Sequence, residues 1–548
     1  MTRRVPTDIS DAPFDAVVVG AGVNGCGVAR DAAMRGLRVL LLDKGDISAG
    51  TTAASTRLIH GGLRYLEHGE VGLVRESLRE RETLLRKVAP HLVRPLPMLV
   101  PVYAGRRRGL LTIRAGMLAY DLLSPSRSLP RHRMLTPSEA IEHAPGLNPE
   151  RLRGAALFYD AQVEYAERLA VENALDARAR GATVLTYARV ERLLVENGAA
   201  RGVVFRDLLG AGTHEAHAPV VLNAAGPWVD EVLEGSGAER ERLIGGTKGS
   251  HVVVRVFDGA PRAAVYAEAS EDGRPFFVVP WDGKLLIGTT DELYKGDLDA
   301  VEADAREVEY LLRETNRLFP SARLTRADVL YTYSGVRPLP RADVRDASAV
   351  TRRHFVRPSR VRGLFSVVGG KLTTYRSLAE AAVDSIFRAL GRAAPPCETA
   401  NTPLPGAAVE DFEAFRRDFD ARSTLPPEST ARLLKIYGAR AGEVLRLAQS
   451  DAELSRPLGE ETGAVGAEVV YAFREEMAET LADCLMRRTM SGLNDNVGLD
   501  VAEGAARVAQ RFLGWDEGRA SCEVEAYRSH VERFHPKRFR DENARRAL

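Results

Sequence analysis

Gly20, Gly22 and Gly25 fall in the stretch VVVGAGVNGCG, and more than two hundred residues later a run of short strands is tipped by His251, Lys295 and Arg337. The glycine spacing is that of a backbone that cradles phosphates. One glycine permits the tight turn, the second lets a pyrophosphate approach, and the third allows close helix–strand packing. A helix start at this point adds unpaired N–H groups and the positive end of a dipole. Asp43 lies 18 residues beyond Gly25, where an acid accepts hydrogen bonds from ribose hydroxyls and disfavours a 2′-phosphate. Imidazole and cations are the groups that take a proton from an alcohol and fix an anion. The two halves of the chain therefore read as facing each other across a dinucleotide, with an anionic substrate held against it.

The elements around these residues support that reading. FDAVVV (14–19) is short, apolar and β-branched, as a buried parallel strand is. The glycine turn, an alanine-rich helix ending near Gly36 and the strand RVLLLDK complete a βαβ unit. A helix is expected over 162–180, followed by strands with a turn at Asn197-Gly198, then the strand and glycine turn of APVVLNAAGPWVD. From about 248 to 340 the pattern is mostly β, with a helical stretch at 301–318. Gly369 and Gly370 then sit on a second strand-to-helix turn, and Leu378, Val383, Ile386 and Leu390 continue at helical spacing. Two well-separated glycine turns suit a long cofactor held at both ends, and the second helix start would stabilise negative charge on a reduced flavin ring.

The cofactor is accordingly read as FAD, and the fold class as α/β, α+β over the whole chain. A discontinuous Rossmann-like FAD-binding domain covers 14–245 and 336–395, and a mainly antiparallel substrate-binding sheet domain covers 246–335. A proline-rich linker follows at 396–409, then a C-terminal helical domain at 410–548.

Bulk properties exclude several classes. The 548 residues call for two or three domains, and 45% hydrophobic with 28% charged residues describes a globular protein. A formal net charge of +1 gives no case for a nucleic-acid partner. Cys26, Cys397, Cys484 and Cys522 form no CxxC pair, so neither a metal site nor a disulfide framework is expected and a reducing compartment fits. The N-terminal stretch lacks the apolar core of a signal peptide, and no run approaches the roughly 18 apolar residues of a membrane span.

Several longer stretches resemble one family. GAGVNGCGVARDAAMRGLRVLLLDKGD, STRLIHGGLRYLEHGE, NAAGPWVD, KGSHVVV, VVPWDGKLLIGTTDELYKGD, YTYSGVRPL and VVGGKLTTYRSLAE occur in the order found in FAD-dependent, respiratory glycerol-3-phosphate dehydrogenases. The resemblance spans about residues 14–400 and continues more weakly into the tail, as in LADCLMRRTMSGLN. It implies oxidation of glycerol 3-phosphate to dihydroxyacetone phosphate, with FAD taking the hydride and a membrane quinone reoxidising it. It further implies a substrate pocket with Arg64, Tyr65, Arg337 and Arg352, the last beside a competing Arg353. His251 is favoured as the base, with His60 closer to the flavin and Lys371 beside it. The implied cofactor contacts are Gly20, Gly22, Val23, Asn24, Gly25 and Asp43; Thr51, Ser55, Gly61, Gly62 and Gly226; and Gly369, Gly370, Leu372 and Thr373. The chain departs from the family's usual residues at Ala21, Thr52 and Ala53.

GRRRGLLTIRAGMLAYDLL (105–123) joins three arginines to an apolar helical pattern in which Leu110, Ile113, Met117 and Leu118 share a face, with Leu122 close to it. Such a helix suits anionic lipid and equally suits packing on its own domain. The family's need to reach a quinone favours peripheral attachment to the inner face of the cell membrane, with the body cytoplasmic. The basic end at 535–548 reads as a solvated tail, and no EF-hand-like loop points to calcium. The oligomeric state stays open, a homodimer included. The competing readings are an oxidase that passes electrons to oxygen, a flavin-dependent amine or amino-acid oxidase, and a non-catalytic flavin module that recruits partners to membranes.

Overall fold

The four-residue strand Ala16–Val19 is buried on both faces, the environment that an unbroken apolar run demands. It lies inside a six-stranded sheet with spatial order Phe355–Pro358, Leu364–Val368, Val220–Asn223, Ala16–Val19, Val39–Leu42, Thr183–Leu185. All neighbours run parallel except the first pair. These relations come from a computed structural model that describes residues 5–67, 69–124, 128–210, 212–234, 236, 238, 241–341, 352–459, 462–537 and 540. The helix Val23–Met34 packs on this sheet between the helices Ala166–Ala179 and Tyr375–Ala389. Parallel strands whose chain order reverses at Ala16–Val19 leave a crevice at their C-terminal ends, where such folds bind ligands.

The second sheet has ten strands and is mainly antiparallel, as expected; its one parallel pair joins Ala264–Glu268 to Val93–Tyr103. Its membership is wider than the interval 246–335. Leu58–Ile59, Val93–Tyr103, Arg133–Leu135 and Leu152–Val163 all belong to it. The long pairing of Val93–Tyr103 with Leu152–Val163 carries this sheet across to the nucleotide half, and Leu58–Ile59 pairs at its far edge. A separate three-stranded antiparallel sheet covers Ala188–Glu196, Ala199–Asp207 and Thr213–His217.

Beyond the linker, the chain is helical, from Phe412–Arg422 to Glu517–Glu532. This region shares a core with the second sheet, and Tyr331 donates to the carbonyl of Leu493 at 2.9 Å. It is also fastened to the nucleotide half. Buried Arg487 and Arg488 both reach Asp46, at 2.6 and 2.7 Å, and buried Arg168 meets Glu476 at 2.6 Å. The basic tail mostly lies outside the described residues.

The helix expected within 105–123 spans Leu110–Leu123, and its apolar residues divide between two faces. Ile113, Met117 and Tyr120 are buried, whereas Leu111 (83%), Leu118 (56%) and Leu122 (86%) are exposed. Leu118 therefore points away from Ile113 and Met117, a correction to the single face expected. Of the preceding arginines, Arg106 donates to Ser270 and Arg108 to Glu67 and Glu268, leaving Arg107 exposed. No helix among the described residues is long and apolar enough to cross a membrane.

Candidate active site

Gly20 adopts φ +106°, and a Cβ there would sit 2.6 Å from the carbonyl oxygen of Ala224. A Cβ on Gly25 would collide with the carbonyl of Gly20, so strand, turn and helix interlock only with glycine at both positions. The helix opening at Val23 has no side-chain cap of its own; the Val23 amide donates instead to Thr52 Oγ1 at 3.1 Å. Thr52, a departure from the family pattern, thus closes one end of the phosphate cradle. A helix start leaves its first N–H groups without intrahelical partners, and those of Asn24 and Gly25 belong to that turn.

Asp43 ends the next strand and braces the turn. Its carboxylate accepts from the Ala21 amide at 2.5 Å and the Gly45 amide at 2.8 Å. Burial raises its pKa, opposed by these two amides. Asn24 Oδ1 and Ser48 Oγ, both beside the turn, are buried without a partner, as are Trp228 Nε1 and Thr374 Oγ1. Orphaned buried polar atoms are costly unless a ligand meets them. Glycine cradle, acid and orphaned groups fit FAD. Gly226 starts the turn after Val220–Asn223, on the same side as Gly20, and Gly370 packs against the Asn24 side chain. Asn24 therefore links the two glycine turns.

From Asp43 the chain runs to a cavity of about 600 Å³ between the two sheets. Of the expected residues, Thr51, Ser55, His60, Gly62, Arg64 and Tyr65 line it from the N-terminal side. His251, Arg337, Arg352, Gly370, Lys371, Leu372 and Thr373 line it from the other. Gly369 donates to the Pro338 carbonyl at 2.8 Å, one step back from the wall. Gly61 also lies behind the wall: its amide is already taken, by Tyr120 at 2.9 Å and Asp160 at 3.3 Å. Lys295 is exposed and outside the cavity lining, so it does not join His251 and Arg337. Arg353 is likewise exposed, leaving Arg352 as the cavity arginine.

The cations are organised by an acid that sequence reading missed. Asp291 accepts from Arg337 Nη1 at 3.1 Å and from Arg352 Nη2 at 2.9 Å. Both arginines hold its pKa down against the effect of burial. Arg337 is further tied to Thr289 at 2.9 Å and to the Thr290 carbonyl at 3.2 Å. Its guanidinium lies over Gly249, where any Cβ would collide with it. Arg352 Nη1, by contrast, is buried without a partner. Lys371 Nζ lies 3.8 Å from the Tyr65 ring centroid and 3.2 Å from Ser77 Oγ. Burial lowers its pKa to about 7.

His251 lies in Thr247–Arg255 between Gly288 and Tyr333, with its ring stacked on Tyr333 at 4.8 Å. Its Nε2 shares a 2.9 Å hydrogen bond with Thr56 Oγ1, and its Nδ1 is buried without a partner. Burial, reinforced by Arg337 and Arg57, lowers its pKa to about 3, so the imidazole is neutral at physiological pH. His60, lowered to about 4 chiefly by burial, is neutral as well. Its backbone is held on both sides by Thr373, whose Oγ1 accepts from the His60 amide at 3.1 Å and donates to its carbonyl at 3.3 Å. The arrangement joins a neutral base to a fixed cation cluster beside a dinucleotide cradle, and can remove a proton from a bound hydroxyl compound while holding its anionic end.

A family model described as FAD dependent oxidoreductase matches residues 15–385, and one described as the C-terminal domain of alpha-glycerophosphate oxidase matches 397–520. A glycerol-3-phosphate dehydrogenase from Synechocystis is 44% identical over 544 residues, covering 97% of this chain and 98% of the relative. Glycerol-3-phosphate dehydrogenase 2 from Mycobacterium tuberculosis is 36% identical over 527 residues, covering 95% and 88%. Among solved structures, the glycerol-3-phosphate dehydrogenase from Bacillus halodurans complexed with FAD superposes with a TM-score of 0.77 at 30% identity, covering 96% of each chain. The FAD-bound L-alpha-glycerophosphate oxidase from Mycoplasma pneumoniae shares the fold, with a TM-score of 0.58 at 18% identity over 72% of this chain and 99% of the other.

Proposed function

Because this chain belongs to the FAD-dependent oxidoreductases, and among them to the glycerol-3-phosphate dehydrogenase/oxidase family, we propose that it oxidises sn-glycerol 3-phosphate to dihydroxyacetone phosphate and passes the electrons to a membrane quinone. The observation that carries this reading is the Arg337–Asp291–Arg352 fork with its unused buried Arg352 Nη1. One acid cannot neutralise two guanidinium groups, and an orphaned donor in a cavity of cations calls for an anion. A phosphate dianion suits the planar arginine forks. Lys371 and Arg64 add charge around the same cavity.

FAD, when bound, supplies the hydride acceptor. The chain supplies position and proton transfer. Arg337 and Arg352 hold the phosphate and so fix the carbinol end of the substrate. His251 accepts the hydroxyl proton as the hydride leaves the same carbon. Its low pKa in the empty site reflects burial and the charge of Arg337 and Arg57. A bound dianion offsets those cations: one charge at about 6 Å, with an effective dielectric of about 20, is worth about 2.8 kcal/mol, or about two pKa units. The base is thus strengthened when substrate arrives. Neutral His60 packs the wall near Lys371 without adding positive charge.

A membrane acceptor is supported by the row of Leu111, Leu118 and Leu122 on the outer face of a helix beside the cavity, where Leu63, a lining residue, approaches Gly116. Exposed leucines on a helix that already buries its other face suit an interfacial position. The test is to reduce the flavoprotein anaerobically with substrate, then add either a soluble quinone or air. Fast reoxidation by quinone and slow reoxidation by air supports the dehydrogenase; the reverse order replaces it with an oxidase.

A further inference from the structure

We propose that Tyr120 is a positioning residue for the His60–Gly61 segment of the active-site wall, a role that rests on the reading of the cavity lined by His60 as the reaction site. Tyr120 comes from the helix Leu110–Leu123, outside both the nucleotide cradle and the cation cluster, and it is 3% exposed. Its hydroxyl accepts from the Gly61 amide at 2.9 Å and lies 2.8 Å from each Asp160 oxygen. A phenol has one proton to give and lone pairs to receive. Donating to the carboxylate while accepting from the amide satisfies both groups. Asp160 is held in turn by buried Arg81 at 2.7 Å, and Arg81 also donates to the Tyr159 carbonyl at 3.1 Å.

The residue preceding Gly61 is His60, whose amide and carbonyl are both fastened to Thr373. Thr373 therefore holds both peptide units that flank His60, and Tyr120 holds the second of them, His60–Gly61, by the amide on the edge opposite its carbonyl. The wall is close-packed at Gly61, where a Cβ would collide with Tyr120 and Leu78. With the hydroxyl removed, the Gly61 amide keeps only the longer contact to Asp160, and the peptide next to His60 loosens. The Tyr120 ring would stay in place, because it packs edge-on against Phe158 at 5.6 Å and a phenylalanine preserves that contact. Arg81 would still neutralise Asp160, so no buried charge is orphaned.

Tyr120→Phe thus removes one hydroxyl and little else. In the FAD-loaded protein, hydrogen exchange of the peptide containing Gly61 should quicken while exchange in the Ala16–Val19 sheet and the C-terminal helices stays as in the parent. The rate of flavin reduction at saturating substrate should fall about tenfold with KM within about twofold, the size of one lost hydrogen bond expressed in the transition state. In a His60→Gln background the same substitution should change the rate less than about twofold, because partners in one network are not additive. Unchanged exchange at Gly61, exchange that quickens everywhere, or an equal rate loss with and without His60 would each overturn the assignment. The exchange measurement needs no substrate. Failure of the wild-type flavin to respond to glycerol 3-phosphate would therefore count against the substrate reading and leave the exchange result to decide the role of Tyr120.

Discussion

Replacing Arg352 with Gln tests the phosphate site at its most exposed assumption. In the parent, Arg352 spends Nη2 on Asp291 at 2.9 Å and keeps Nη1 buried and unused. Asp291 remains paired with Arg337 in the variant, at 3.1 Å, so no acid is stranded. What is lost is one charge-assisted hydrogen bond to the ligand, worth about 1.5–3 kcal/mol, or about 10- to 150-fold in affinity. The assay is kcat/KM for glycerol 3-phosphate, read by anaerobic flavin reduction, beside the inhibition constant of inorganic phosphate. Both should weaken by similar factors, because inorganic phosphate shares only the anionic end of the substrate. A variant that loses turnover while phosphate inhibits as before would refute the assignment of Arg352 to the anion. An unchanged kcat/KM would remove Arg352 from the site altogether.

Other consequences follow from the same geometry. His251→Asn should lower the rate of flavin reduction by about 10²–10⁴, with FAD content unchanged, as for loss of a general base; a wild-type rate would exclude His251. Lys371 has a folded pKa lowered to about 7, so its charge is present below that pH and is lost as pH rises through it. The substrate stays a dianion above about pH 6. The kcat/KM advantage of the parent over Lys371→Met should therefore be largest below pH 7 and shrink above it, and a pH-independent ratio would contradict this. Changing Leu111, Leu118 and Leu122 together to Glu should abolish co-sedimentation with anionic vesicles and leave turnover with a soluble acceptor intact; retained sedimentation would place the membrane contact elsewhere. Arg488→Met removes one of the two arginines on buried Asp46 and leaves Arg487, so the loss is that of hydrogen bonds between charged groups, about 1.5–3 kcal/mol, and heat should release FAD at a lower temperature.

The nucleotide half was readable because its signals are local. An apolar run, a glycine spacing and an acid 18 residues on all lie within one βαβ unit, and the structure places them together. The second sheet was only half legible. Val93–Tyr103 contains Pro95, Pro97 and Pro101, which argue against a strand inside a sheet. The strand survives because it pairs with Ala264–Glu268 only at Met98 and Leu99, leaving the prolines clear of that ladder. The basic and histidine residues of the cavity were found through motifs, but what orders them was not. Asp291 meets arginines 46 and 61 positions away, and Tyr120 meets Gly61 across 59. Asp46 meets Arg488 across 442. Contacts of that range leave no period in the chain, and Asp291 reads in sequence as one acid in a loop. Conversely, Lys295 had the right residue type beside the right strand, yet its position beyond the strand end leaves it in solvent.

The most direct test is the visible spectrum of the FAD-loaded protein under anaerobic conditions. Adding sn-glycerol 3-phosphate should bleach the oxidised flavin band near about 450 nm, and glycine or proline should leave it unchanged. Bleaching by the amino acids and not by glycerol 3-phosphate would contradict the phosphate site and the reaction assigned to it.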